Sequence, residues 1–168
     1  MSTFAILATG SSMSQSVADS VRGRCSVIAV SDAFRLAPWA DALVSSDPQW
    51  WRANPDALNF AGDKYRAKRQ EDVANVHGVA APSGSNSGLL ALIVAEMLGA
   101  TKALLLGYDM GGTHFFGPHT KGLMNTTASR FETFKKQFAR WKTEMDVVNC
   151  TTGSALHCYR FSAVEREL

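Results

Sequence analysis

Cysteine is scarce in this sequence: Cys25, Cys150 and Cys158 are the only three, odd in number and far apart. A disulfide framework is therefore not expected, and without a paired C-x-x-C spacing neither is a zinc site. An excess of charge of one sign is lacking too. The formal net charge of +2 is too small to draw nucleic acid or an anionic membrane. No apolar run approaches the ~20 residues of a membrane span, and the opening residues read as a strand rather than a signal peptide. Internal repeats, low-complexity tracts and linkers are missing as well. Together these absences lead us to expect a cytoplasmic protein in a reducing compartment, with no membrane span and no nucleic-acid partner.

What is present is apolar. Of 168 residues, 46% are hydrophobic and 19% charged, enough for one domain spanning 1–168 with a substantial core. Its centre is Ser83 to Asp109, which reads as a small-residue loop, a buried helix and a buried strand ending in Gly107-Tyr108-Asp109. Leu89 to Leu98 carries a single charge, Glu96, so the helix is expected to be covered on most sides. Ala103 to Leu106 is too short for a helix and fits a fully buried parallel strand.

Taken in order, Thr3–Thr9 is a strand, Gly10-Ser11-Ser12 turns it into a helix over about Ser14–Arg22, and Cys25–Val30 is a second strand. Strand, tight turn, helix, strand is a βαβ unit. The first turn lacks G-x-G-x-x-G, so the dinucleotide fingerprint fails there. Ala42–Ser45 is a third short strand, and Trp50-Trp51 lie in a helical piece ended by Pro55. Polar Asn59–Asp72, with Lys64, Arg66, Lys68 and Arg69, reads as a surface excursion. Asn75–Val79 is a further strand candidate, which makes Ala103–Leu106 the fifth. Gly111–Gly122, with four glycines and a proline, is an irregular loop with room to move. Phe131, Phe134, Phe138, Trp141 and Met145 recur at spacings of three and four, the core stripe of an amphipathic helix. Asp146–Cys150 is a last core strand and Leu156–Phe161 a terminal edge strand. The fold class is thus α/β, a Rossmann-like, doubly wound, mostly parallel sheet with helices on both faces.

In such a sheet the strand ends Gly10-Ser11-Ser12, Ser31-Asp32, Ser46-Asp47 and Gly107-Tyr108-Asp109 share one edge with the helix start at Ser87. That edge is where open α/β sheets place ligands. Ser83, Ser85, Asn86 and Ser87 add hydroxyls, an amide and free N–H groups at a helix N-terminus. Each of these residues taken singly reads first as a cap or turn, and it is the set together that points to a ligand crevice. Asp32, Asp47 and Asp109 are candidate Mg²⁺ ligands, with capping or ion pairing as the alternative. His114 and His119 are candidate general bases. Trp50 or Trp51 could stack on a base or sugar, or pack the domain or an oligomer contact. Lys64 to Arg69 could grip phosphate or form an exposed basic face.

The segments ILATGSSMS, VIAVSDAF, ADALVSSDP, NSGLLALIVAEMLGATKALLLGYDM and VVNCTTGSAL occur in the order found in sialyltransferase-like proteins. The chain resembles small bacterial sialyltransferases that use CMP-sialic acid, and the related family that includes archaeal 6-hydroxymethylpterin diphosphokinase. The resemblance spans roughly Phe4 to Leu156. It implies a nucleotide or nucleotide-sugar donor, an acceptor of unspecified kind and a glycosyltransferase activity. Thr9, Gly10, Ser11 and Ser12 would face the nucleotide phosphates, and Ser31 or Asp32 the nucleotide. Ser87 and Gly88 match the family's Ser-Gly at the central helix, and Gly107 and Asp109 its Gly-x-Asp. The family's catalytic histidine matches His119 after a shift of a few residues, whereas an ungapped match puts Gly122 there. Thr9 replaces an Asn of the family's first turn. The diphosphokinase likeness, through ADALVSSDP and GYDM, implies ATP and Mg²⁺ held by Asp47 and Asp109. A third reading is a non-catalytic nucleotide-binding module. Only Asn54–Val73 and Gly111–Thr127 are long enough to cover a substrate. Brevity alone fits a bacterial or phage genome, and a homo-oligomer is compatible with the chain.

Overall fold

Successive residues of a strand point to opposite faces, so a run apolar at every position buries both. In the computed structural model, which describes residues 1–68, 72–82, 84 and 86–168, β1 (Thr3–Leu7) does this. Phe4 and Ile6 enter one core, Ala5 and Leu7 the other. Its neighbour β6 (Lys102–Leu106) divides in the same way, with Ala103 and Leu105 against Leu104 and Leu106. The other strands are β2 (Ser26–Val30), β3 (Ala42–Val44), β4 (Asp63–Ala67), β5 (His77–Val79), β7 (Asp146–Asn149) and β8 (Arg160–Phe161). All eight form one sheet in the order β5-β4-β3-β2-β1-β6-β7-β8, and every pairing is parallel. This is a Rossmann-like α/β fold. Among the described residues, no helix is long and apolar enough to cross a membrane.

Helix α3 (Ser87–Met97) and α4 (Ala128–Arg140) contribute to one core, and α1 (Gln15–Asp19) and α2 (Pro48–Ala53) to the other. A short α5 (Val164–Glu167) closes the chain. Six apolar residues of α3 are buried, as its near-continuous apolar run requires. Asn86 caps it, accepting from the Leu89 N–H at 2.9 Å.

Two expectations need correction, and two open alternatives are narrowed. The stretch expected to be a surface excursion contains β4, whose Tyr65, Arg66 and Ala67 are buried, and Ala103–Leu106 therefore lies in the sixth strand. Arg66 is accommodated because its guanidinium donates to the Ala67 carbonyl and pairs with Asp72. The phenylalanine stripe is only partly core. Phe138 is buried, whereas Phe131 and Phe134 are half-buried, Trp141 caps the helix and Met145 lies beyond it. Both tryptophans of α2 are buried, at 3% and 2% exposure, leaving no open face for a base to stack on. Finally, Lys64 donates to the Phe60 carbonyl and, with Arg66, belongs to β4 rather than to a phosphate grip. Arg69, Ser83 and Ser85 lie outside the described residues.

Candidate functional site

The strand order reverses direction at β1, whose neighbours are β2 on one side and β6 on the other. At such a switch point the connections leave in opposite directions and a crevice opens beyond the strand ends. Here it is a cavity of about 800 Å³ reached by the ends of β1, β2, β3 and β6, the starts of α3 and α4, and the loop between β6 and α4.

The loops after β1 and β6 meet with no room to spare. Gly10 N–H donates to the Gly107 carbonyl at 2.9 Å. A Cβ on Gly10 would lie 1.9 Å from Asp109 Oδ2. Gly107, at φ +76°, occupies the left-handed region that glycine favours, and a side chain there would meet Met13. Asp109 Oδ2 in turn accepts from the Ser12 hydroxyl at 2.7 Å. Thr9, Gly10, Gly107 and Asp109 line the cavity, whereas Ser11 and Ser12 do not.

On the far wall the hydroxyls come in pairs. Ser31 Oγ lies 3.0 Å from Ser45 Oγ, and Ser46 Oγ 3.0 Å from Ser87 Oγ. The Ser46 N–H also donates to Ser87 Oγ. A contact between two hydroxyls uses one of their two hydrogens. Each pair therefore keeps an O–H hydrogen for an acceptor beyond itself. All four residues line the cavity, and Ser45 and Ser46 are buried. Ser31 has φ +46°, a left-handed turn that ends β2.

Asp32 lines the cavity, and its carboxylate follows the ion-pairing alternative. It accepts from the Trp50 indole N–H at 3.0 Å and pairs with Arg35 at 3.1 Å. Asp47 lines the cavity and caps α2, accepting from the Gln49 N–H at 2.9 Å. Gly88 also lines it, with its carbonyl held by the Tyr108 hydroxyl at 3.0 Å. Among the described residues, no group of three or more His, Cys, Asp and Glu side chains is arranged to hold a metal ion. Asp47 and Asp109 both line the cavity.

The loop 111–127 runs over the crevice as a strap. The Phe115 N–H donates to the Thr9 carbonyl at 2.9 Å, and Gly10 and His114 form a β-bridge. Further on, Lys121 Nζ donates to Asn54 Oδ1 at 2.8 Å. Asn54 is buried at 1% exposure, also accepts from Arg35 and donates to the Trp50 carbonyl. The strap carries His114 and His119 into the cavity lining with ring centroids 4.3 Å apart, and does not bring Gly122 there. His114 stacks on Phe116 and meets the Thr9 hydroxyl through Nδ1 at 2.9 Å. Burial, and then the neighbouring His119, hold the His114 pKa below its ordinary value, against weaker opposing effects of Asp32 and a backbone hydrogen bond at Thr9.

No protein-family model, curated protein or solved structure matches this chain.

Sequence reasoning passed over three contributors. Asn54 and Lys121 anchor the strap, and their contact spans 67 positions, beyond any local pattern. The helix cap Thr127, with Arg130, Phe131 and Phe134 behind it, forms the α4 wall of the cavity. The weak signal for this wall was an aromatic stripe longer than its helix.

Proposed function

We propose that this protein is a nucleotide-dependent transferase, and that its donor is a glycosyl group activated by CMP or a similar nucleotide. The observation that carries the reading is the pair of serine pairs. Their two spare O–H hydrogens lie on one wall of a switch-point crevice, suited to the acceptor oxygens of a phosphate or ribose. The starts of α3 and α4 open onto the same cavity, and neither helix has an acidic residue in its first turn, so their N–H dipoles favour an anion.

In this mechanism His119 takes the proton of an acceptor hydroxyl as its oxygen bonds to the anomeric carbon. The bond from that carbon to the phosphate oxygen breaks, and the departing nucleotide keeps the electron pair. Fixed N–H and O–H dipoles stabilise the charge that develops on it. Neutral His114 keeps a second positive charge away from the imidazolium of His119. The alternative, pyrophosphoryl transfer from ATP with Mg²⁺, would draw on Asp47 and Asp109, of which Asp47 caps α2 and Asp109 holds Ser12. The non-catalytic module shares the crevice but gives no role to the two cavity-lining imidazoles. The three cysteines, all unpaired, suit the reducing cytoplasm in which we place the protein.

A thermal-shift panel of CMP, CDP, UDP, GDP, ADP and ATP, each with and without Mg²⁺, tests the donor. A ligand at ~100 times its Kd stabilises the native state by about 2.7 kcal/mol. The expected result is a shift with CMP that chelator does not remove. A shift confined to ATP with Mg²⁺ would replace this reading with the pyrophosphoryl one.

A further inference from the structure

The cavity has two unlike walls. The serine pairs make one side polar, while the α4 side is aromatic and carries a cation. Phe131 and Phe134 belong to the same helical stripe as buried Phe138, yet both are only partly buried and line the cavity. Their rings stand at 88° with centroids 6.4 Å apart, which makes an L-shaped notch rather than a flat patch. Met124, 86% exposed, lines the same cavity. Partly exposed rings on a cavity wall retain apolar surface that a ligand can remove from water.

The charge at this notch is Arg130. Its guanidinium lies 5.5 Å from the centre of the Phe134 ring, so it borders the aromatic surface. Among the described residues it makes no ion pair. Glu132, two positions away, is engaged by Lys135. The cavity's three carboxylates have other partners, Asp32 with Trp50 and Arg35, Asp109 with Ser12 and Asp47 with the α2 backbone. A cation beside an aromatic notch matches a ligand with a flat or bulky apolar body and an anionic group at one end.

We propose that the α4 side of the cavity binds an organic anion, its aromatic or branched apolar body held by Phe131, Phe134 and Met124 and its acidic group by Arg130. That this anion is the acceptor of the transferred group rests on the transferase reading; its binding does not. The α4 side then sets acceptor choice, and the serine side holds the donor.

The test uses two dyes that share an aromatic body: 1-anilinonaphthalene-8-sulfonate, and the uncharged N-phenyl-1-naphthylamine. Each is titrated by fluorescence into the full chain without nucleotide, for wild type, Arg130→Met, Phe134→Ser and Met97→Ser. Met97 lies near the C-terminal end of α3 and is 53% exposed, so it reports adventitious dye binding away from the notch. The sulfonate is expected to bind about tenfold more tightly than the neutral dye, the effect of one charge-assisted contact. Arg130→Met should abolish that preference while leaving the neutral dye unaffected. Phe134→Ser should weaken both dyes, and Met97→Ser neither. The proposal is overturned if Arg130→Met leaves the preference intact, or if wild type binds neither dye. It is equally overturned if Met97→Ser removes the binding. Dyes that behave as expected in a protein silent to every nucleotide would support this site and remove the transferase reading. A retained CMP shift beside failed dye binding would do the reverse.

Discussion

The Thr9 hydroxyl lies 2.9 Å from Nδ1 of His114, 105 positions further along the chain. This contact joins the end of the central strand to the strap and helps hold one imidazole in place beside the other. Burial and His119 favour the neutral ring, so folded His114 binds fewer protons than the unfolded chain does. Its contribution to stability is therefore complete above the unfolded value of 6.5. It declines as pH falls from there toward the lower folded value. We expect an NMR titration midpoint for His114 below 6.5, and His114→Asn should flatten the loss of melting temperature on mild acidification. A midpoint above that value would contradict the burial argument.

His119→Ala should lower turnover by about 10²- to 10⁴-fold, the usual contribution of a positioned general base. Nucleotide affinity should change little, because the serine pairs remain. Single-turnover rates and equilibrium titration separate the two effects, and unchanged turnover would remove His119 from the mechanism.

Asn54→Ala leaves Arg35 Nη2 and Lys121 Nζ without their shared acceptor. The loss is expected to be about 1–3 kcal/mol. Its sharper signature is local: amide exchange should accelerate along residues 111–127. Uniform acceleration across the sheet instead would mean that Asn54 supports the core and not the strap.

Gly10→Ala sets a methyl against Asp109 Oδ2 and the Gly107 carbonyl, at 1.9 and 2.5 Å before any relaxation. Overpacking of this kind is expected to destabilise by about 1–3 kcal/mol, readable from urea unfolding. Adding Asp109→Ala should recover part of the loss, since one of the two obstacles is then gone. Strictly additive losses in the double variant would show that the two loops do not press on each other.

The central part of the fold was legible because its strands are apolar at nearly every position, a pattern that a two-sided parallel sheet demands. β4 was not. Its sequence, DKYRA, carries three charges, and Arg66 is tolerated inside only through partners that no periodicity reveals. The α4 stripe misled in the opposite direction. Spacing shows which residues share a helical face, but not whether that face meets protein or a cavity. The strand-end clustering of small polar residues follows from parallel topology alone, so the crevice could be expected from sequence. The pairing of Ser31 with Ser45 and Ser46 with Ser87, and the docking of His114 on Thr9, depend on register between distant segments.

The sheet also tapers. Its two middle strands, β2 and β1, have five residues each, while the outermost, β5 and β8, have three and two. At one rim Arg160 is clamped by Asp146 and Glu167; at the other, His77 and Gly78 face solvent. Exposed edges are the usual template for intermolecular strand addition, and short or charged edges blunt it. A chain whose interior strands would stack readily between molecules thus offers its neighbours only two or three residues of open backbone at either rim.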